Sequence, residues 1–205
     1  MPARPILGRM THTSQTPDTG EQNLPERSFG WSDLFVLPAD DPRGGSRAGE
    51  RDTLAGFLRD QRLTLEMKCA GLDAEALARR SVPPSDLSLL GLVRHMAYVE
   101  QAWFRRVLAG QDVPWHYRTE DDRDADFAGA VPDPEVVAHA WETWRGEVAF
   151  AERFVADAPD LEVCGLHHGR PVTLREVLVH MIEEYARHNG HADFLRERID
   201  GRVGE

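Results

Sequence analysis

The chain has 205 residues, which is enough for one sizeable domain and marginal for two. Its 24 Lys and Arg residues against 35 Asp and Glu residues give a formal net charge of -11, which disfavours binding to nucleic acid or to anionic membrane surfaces. No apolar run approaches the ~20 residues that span a bilayer, and the first residues lack the apolar core of a secretory signal. Cys69 and Cys164 have unrelated sequence contexts and no CxxC spacing, which favours two free thiols in a reducing compartment. We therefore expect a cytoplasmic protein with neither a nucleic-acid nor a membrane partner.

Residues 1–49 differ in composition from the rest of the chain. They are rich in Pro, Gly, Ser, Thr and Asp, which predicts an N-terminal arm that is partly disordered or wraps around the body of the protein. Trp31, Leu34 and Phe35 interrupt this polar stretch, and we expect the segment around them to dock on the body. Residues 50–205 are predicted to form one helical domain.

Four long helices are predicted in this domain, because apolar residues recur there at three- and four-residue steps. The first runs from residue 50 to about residue 70, and a short turn capped by Asp73 follows it. Residues 158–172 are turn-rich and could include a short extended pair. The other three long helices run from about Ser88 to Ala109, from the cap Asp133 to about Ala158, and from the capping box Thr173/Glu176 to about Ile199. We therefore predict an all-α four-helix bundle, with the acidic connector Glu120–Asp126 away from any site.

The last helix carries polar side chains on a face that is otherwise apolar. At 100° per residue, Glu184 and His188 are about 40° apart, and His191 lies about 20° from Glu184 on the other side. Met181 and Tyr185 share that face. Burial of polar groups without partners is unfavourable. These three side chains therefore need a common partner.

The second helix has a matching feature in His95, which lies on the apolar face between Leu92 and Val99. A histidine from one helix and a Glu-xxx-His pair from a facing helix give three ligands around one point and leave a coordination position open. Imidazole and carboxylate ligands suit zinc, nickel or iron, and an open position suits catalysis. The sequence therefore predicts a divalent metal site, with zinc as the first choice, on His95, Glu184 and His188.

Other interpretations of the same residues stay open. His95 alone would more often be a hydrogen-bonded core histidine, Glu184 could form a structural ion pair, and the whole site could be a metal-free polar core. His180 competes as a ligand but is better placed to support one. His167 and His168 are expected in a solvated loop that could reach the end of the bundle, and the spacing of His116 and His139 indicates no role for them.

Two segments together resemble a known superfamily. SLLGLVRHMAYVEQAWFRRVLAG and VLVHMIEEYARHNGHADFLRERIDG resemble the DinB-like superfamily, in the actinobacterial branch related to mycothiol-dependent enzymes, and the resemblance extends over about residues 49–204. It implies a four-helix bundle that holds a divalent metal on His95, Glu184 and His188. Glu184 departs from an all-histidine pattern, and His191 takes the position of a glutamine, which leaves it open whether His191 is a fourth or alternative ligand. The resemblance also implies mycothiol, or a similar thiol, as co-substrate with an electrophile.

The function predicted on this basis is a metal-dependent thiol S-transferase or isomerase. His191 and Tyr185 are the candidate proton carriers near the open position. Arg187 is the candidate for binding a carboxylate of the thiol or substrate, whereas Arg196 is expected to be solvated at the surface. The alternative is a non-catalytic metal-binding helical bundle in stress response or protein interaction, and a homodimer stays open for either function.

Overall fold

The structure is a computed structural model that describes residues 24–27, 35–45, 47–119 and 121–203. The protein is mostly helical, as predicted, with one small two-stranded antiparallel sheet. Trp31, Leu34 and Glu120 lie outside the described residues. The helices are α1 (Gly49–Cys69), α2 (Ala74–Ala78), α3 (Leu89–Glu100), α4 (Ala125–Ala128), α5 (Pro134–Asp157) and α6 (Leu174–Asp200), and the strands are β1 (Cys164–His167) and β2 (Arg170–Thr173).

Helix starts follow the capping residues that the sequence supplies. The Ser88 side chain accepts a hydrogen bond from the Gly91 amide at the start of α3, and Asp133 caps α5 in the same way. Thr173 and Glu176 form the predicted reciprocal capping box at the start of α6. The predicted Asp133 cap and the predicted Thr173/Glu176 capping box are confirmed, because a cap depends only on residues within one turn of each other.

The end of the second long helix differs from the prediction. α3 continues without a break into a π-helix over Gln101–Leu108, where the sequence predicted a regular α-helix to about Ala109. The sheet packs against this segment so closely that a Cβ atom on Gly165 would overlap the backbone of Val107. Periodicity of apolar residues does not distinguish the wider π turn from an α turn, since the two differ by less than one residue per turn.

The sheet is a hairpin of the kind that a two-residue turn produces. His168 and Gly169 connect its strands, and both have positive φ angles, of 51° and 77°. Two successive residues with positive φ are characteristic of the type I′ turn, whose twist matches that of the strands. The extended pair that the sequence left open is therefore present.

The long helices pack in a way that places α3 next to α6. α1 packs on α6, α3 packs on α5, and α3 also contacts α6. The buried core between them is formed by apolar residues from all four helices, among them Leu65, Met96, Trp144 and Met181. Since α3 and α6 carry the polar residues singled out in the sequence, their contact brings those residues to one place.

The segment 35–45 contacts the helical body through Phe35. The Phe35 ring lies 4.6 Å from the Lys68 ammonium nitrogen and 5.1 Å from the guanidinium carbon of Arg196. The expectation that Arg196 is solvated is wrong. Arg196 is buried, and it donates hydrogen bonds to the carbonyls of Lys68 and Ala70 at the end of α1, whose last carbonyls lack partners within their own helix.

None of the described helices combines the length and the apolar character needed to cross a bilayer.

Candidate metal centre

Three of the predicted site residues converge between α3 and α6. One side-chain ligand atom from each of His95, Glu184 and His188 lies within 4.8 Å of the other two. Glu184 and His188 are four residues apart, so α6 presents them on one face, and α3 supplies His95 from across the interface. Both histidines are largely buried, whereas 27% of the Glu184 side chain is exposed. The cluster therefore opens to solvent on the Glu184 side.

His188 is electrically neutral in this position. Its burial, followed by repulsion from His95, His191 and Arg187, lowers its pKa to about 3. Its Nε2 atom lies 3.5 Å from a Glu184 carboxylate oxygen, and its Nδ1 atom lies 3.3 Å from Nδ1 of His191. A neutral imidazole keeps one nitrogen lone pair, which is what a metal requires of a histidine ligand.

His95 is oriented by a residue from the acidic connector. Its Nδ1 atom lies 2.8 Å from a carboxylate oxygen of Asp126, which also accepts a hydrogen bond from Arg118 Nε at 2.9 Å. Burial opposes ionisation of Asp126, but the hydrogen bond from His95 and the charge of Arg118 outweigh it and lower the pKa of this carboxyl. We therefore assign the ring proton of His95 to Nδ1, which leaves Nε2 free to bind a metal.

The expectation that the acidic connector lies away from the site is wrong at Asp126. The short helix α4, which the sequence did not predict, carries this carboxylate over α3, and Arg94 donates hydrogen bonds to the α4 carbonyls of Ala125 and Asp126. Phe127 stacks on the His95 ring with a centroid separation of 5.1 Å. Periodicity does not indicate where a connector returns, so neither Asp126 nor Arg118 has a local sequence signal.

Tyr185 does not join the cluster. Its side chain is fully buried, and its hydroxyl donates to Glu100 at 2.7 Å and accepts from Trp144 Nε1 at 2.8 Å. Burial, together with the charge of Glu100, raises its pKa well above the usual value. Glu100 is in turn held by two hydrogen bonds from Arg62 at 2.8 Å. With both functions of its oxygen used inside the core, Tyr185 is poorly suited to carry protons for the cluster.

His191 and Arg187 lie beside the cluster on α6. His191 is a hydrogen-bond partner of His188 and is not part of the group of three converging ligand atoms. Arg187 is exposed, and its positive charge contributes to the lowered pKa of His188. His180 lies on the other side, with Nε2 3.6 Å from a Glu184 oxygen, in the supporting position that the sequence suggested.

His116, His139 and His167 have partners elsewhere, and His12 lies outside the described residues. His116 lies 3.0 Å from the Glu147 carboxylate, and His139 lies 3.2 Å from the Tyr117 hydroxyl. The His167 ring packs on Trp103 with a centroid separation of 4.7 Å, and Trp103 also contacts His180 at 4.6 Å. His167 therefore reaches the end of the helices, where it lines a cleft rather than the ligand cluster.

The donor set fits a divalent transition metal. Two imidazole nitrogens and one carboxylate oxygen are ligands that zinc binds in catalytic sites, with a fourth position free for water or substrate. The carboxylate partner of His95 and the imidazole partner of His188 fix the ring orientations, as the outer partners of metal-binding histidines do. The three ligand atoms lie close enough together to be candidates for holding one ion.

The fold and this cluster define the class of protein, a helical protein with a candidate His/Glu/His metal centre that opens to solvent. A model of the mycothiol-S-transferase family matches residues 53–201, which is most of the chain. The chain belongs to the mycothiol-S-transferase family, within the DinB-like superfamily. The resemblance stated from the sequence is thereby confirmed.

Solved structures add a likeness in fold. The crystal structure of a conserved protein from Enterococcus faecalis aligns with a TM-score of 0.53 and 15% sequence identity, and the alignment covers 74% of this chain and 98% of that chain. At this level of identity the likeness concerns the fold alone. No curated protein has significant sequence similarity to this chain.

Proposed function

We propose that this protein is a metal-dependent mycothiol S-transferase with the DinB-like four-helix bundle, whose divalent ion is held by His95, Glu184 and His188. The convergence of these three ligand atoms within 4.8 Å carries the proposal, together with membership of the mycothiol-S-transferase family. Zinc is the first candidate, and nickel and iron accept the same ligands. A bound divalent cation favours the thiolate over the thiol at neutral pH.

In the transfer, the thiol gives up its proton and its sulfur forms a bond to an electrophilic carbon of the acceptor. The leaving group departs with the electron pair of the bond that breaks. The chain's own residues prepare this step by geometry. Asp126 fixes the ring of His95, and His191 fixes the ring of His188.

His191 is better suited to positioning than to proton transfer. If His188 binds the metal through Nε2, its remaining ring proton is on Nδ1 and is donated to Nδ1 of His191. That nitrogen of His191 then has no lone pair left for the proton of the thiol. We therefore assign the role of orienting His188 to His191 and expect solvent water to receive the thiol proton at the open side of the cluster.

Arg187 is proposed to attract the anionic form of the thiol co-substrate. It is exposed on α6 next to His188, so its guanidinium can pair with a negatively charged group of a thiol that approaches the cluster from solvent.

Metal analysis of the purified protein tests the ligand assignment. The wild-type protein is expected to bind one zinc ion per chain, and His188→Ala is expected to lose stoichiometric binding. The matched control is His139→Ala, since His139 is a histidine that pairs with Tyr117 outside the cluster. Retention of stoichiometric metal by His188→Ala would contradict the assignment.

Conjugation of mycothiol to monochlorobimane tests the activity. The zinc-loaded wild-type protein is expected to form the conjugate faster than the metal-free protein and faster than His188→Ala. If the protein binds one ion but accelerates no conjugation with a panel of electrophiles, the function is that of a non-catalytic metal-binding bundle. If the thiol instead adds to an unsaturated substrate and leaves again, the protein is an isomerase.

A further inference from the structure

A cleft of about 610 Å³ lies beside the candidate metal centre. We propose that it binds the acceptor of the transfer reaction and that this acceptor is an uncharged, flat aromatic compound. The role of the bound compound as an acceptor rests on the proposed function, whereas its binding in the cleft does not. The volume falls in the range of about 300–1,000 Å³ that is usual for small-molecule sites.

Aromatic side chains from several elements line the cleft. Tyr98 comes from α3, Trp103 from the π-helix, Trp115 from the connector, and Leu166 and His167 from β1. The Tyr98 and Trp115 rings lie 5.1 Å apart, and Trp103 contacts the His167 ring at 4.7 Å. Aromatic walls favour a flat ring, because aromatic pairs gain energy beyond the apolar area that they bury.

Two large apolar side chains of the cleft remain in contact with water. Leu166 is 69% exposed and Trp115 is 41% exposed. Both lie on elements that are fixed by tertiary contacts, since the hairpin packs on the π-helix and Arg106 covers the Trp115 ring at 4.2 Å. A ligand that covers these side chains removes apolar surface from water on both sides, which is a favourable change.

The charged groups of the cleft are already paired, which favours a neutral ligand. Arg106 forms an ion pair with Asp112 at 3.1 Å and donates a hydrogen bond to the Val113 carbonyl. Burial, followed by repulsion from His168 and His180, lowers the pKa of His167, which is therefore neutral near pH 7. An anionic ligand would have to compete with Asp112 for Arg106.

Two contacts connect the cleft to the metal ligands. Trp103 packs on His180 at 4.6 Å, and His180 lies 3.6 Å from Glu184. Tyr98 is one turn beyond His95 on α3, with a ring separation of 6.4 Å. A compound in the cleft that contacts Tyr98 or Trp103 therefore lies close to the ligand cluster.

Binding of N-phenyl-1-naphthylamine, a neutral aromatic compound that fluoresces in apolar surroundings, tests the proposal on the full-length protein without metal or thiol. We expect one saturable site. Leu166→Asp and Trp115→Ala should each weaken binding about tenfold or more, because a buried side chain of this size contributes that much. Phe194→Asp is the matched control, since Phe194 is 67% exposed on α6 and does not line the cleft. Circular dichroism checks that each variant is folded.

The anionic analogue 1-anilinonaphthalene-8-sulfonate tests the preference for a neutral ligand, and we expect it to bind more weakly. Tighter binding of the anionic analogue, or unchanged affinity in both cleft variants, would overturn the proposal. A protein that binds the neutral probe as expected but transfers no thiol leaves the cleft assigned and removes the proposed function. If the KM for an aromatic acceptor is the same in Leu166→Asp as in the wild-type protein, the proposed function stands and the assignment of the cleft as the acceptor site is wrong.

Discussion

Two polar clusters include residues from both α3 and α6, and they differ in how their charge is balanced. The first is a fully buried cluster of Arg62, Glu100, Tyr185 and Trp144, in which every link is a hydrogen bond of 2.7 or 2.8 Å. It contains its own cation and its own anion. Burial opposes the charge of Arg62, but Glu100 outweighs burial and raises the pKa of the guanidinium.

The second cluster, His95, Glu184 and His188, contains a carboxylate and two imidazoles but no permanent cation. Its three ligand atoms converge and it is open to solvent at Glu184, while the guanidinium of Arg118 contacts it at Nδ1 of His95, beside Asp126. The difference teaches that a polar group on an apolar helix face has two outcomes. Where the protein supplies a side chain of opposite charge, the polar side chain has a structural role. Where several hydrogen-bond acceptors converge on one point, they are suited to binding a cation from solution.

Removal of the carboxylate charge separates the two clusters most strongly. Glu100→Gln removes the buried anion of Arg62 and leaves it the exposed Glu152 carboxylate at 3.8 Å, so the free energy of unfolding is expected to fall by about 3–5 kcal/mol. Glu184→Gln removes the same charge from a partly exposed site and is expected to change it by less than about 1 kcal/mol. Urea denaturation of the metal-free proteins measures both. Equal losses would mean that Glu184 is a structural ion-pair partner like Glu100.

The metal affinity should depend on the connector carboxylate. Asp126→Asn weakens the hydrogen bond that orients His95 and is expected to lower zinc affinity by about 10–100-fold. A competition titration with a chelator measures the change, and the exposed Asp121→Asn in the same connector is the control. Unchanged affinity in Asp126→Asn would mean that Asp126 anchors α4 but does not tune the site.

The smallest effect is expected at Tyr185. Tyr185→Phe leaves the Trp144 N–H without its acceptor, whereas Glu100 keeps both hydrogen bonds from Arg62, so the free energy of unfolding should fall by about 1 kcal/mol. Zinc stoichiometry and the rate of conjugation are expected to stay at the wild-type values. A large loss of rate in a stable, zinc-loaded Tyr185→Phe protein would restore Tyr185 as a proton carrier.

The sequence by itself determined the features that depend on neighbours within about one helical turn. The caps at Ser88, Asp133 and Thr173 are of this kind, because a cap bonds to an amide two or three residues away. The shared face of Glu184 and His188 is also local, because it follows from the angle per residue in a helix. These features placed the ligand candidates on the correct helices.

Only the tertiary structure decided which distant groups each polar side chain meets. His95 and Asp126 are 31 residues apart in the sequence, and Tyr185 and Glu100 are 85 residues apart. Arg196 donates a hydrogen bond to the carbonyl of Lys68, which is 128 residues away. Local spacing carries no information about such pairs, since they depend on the path of connectors and on the packing of helices. For this reason the sequence indicated the candidate metal ligands, whereas the residues that orient them and the buried partners of Tyr185 came from the fold alone.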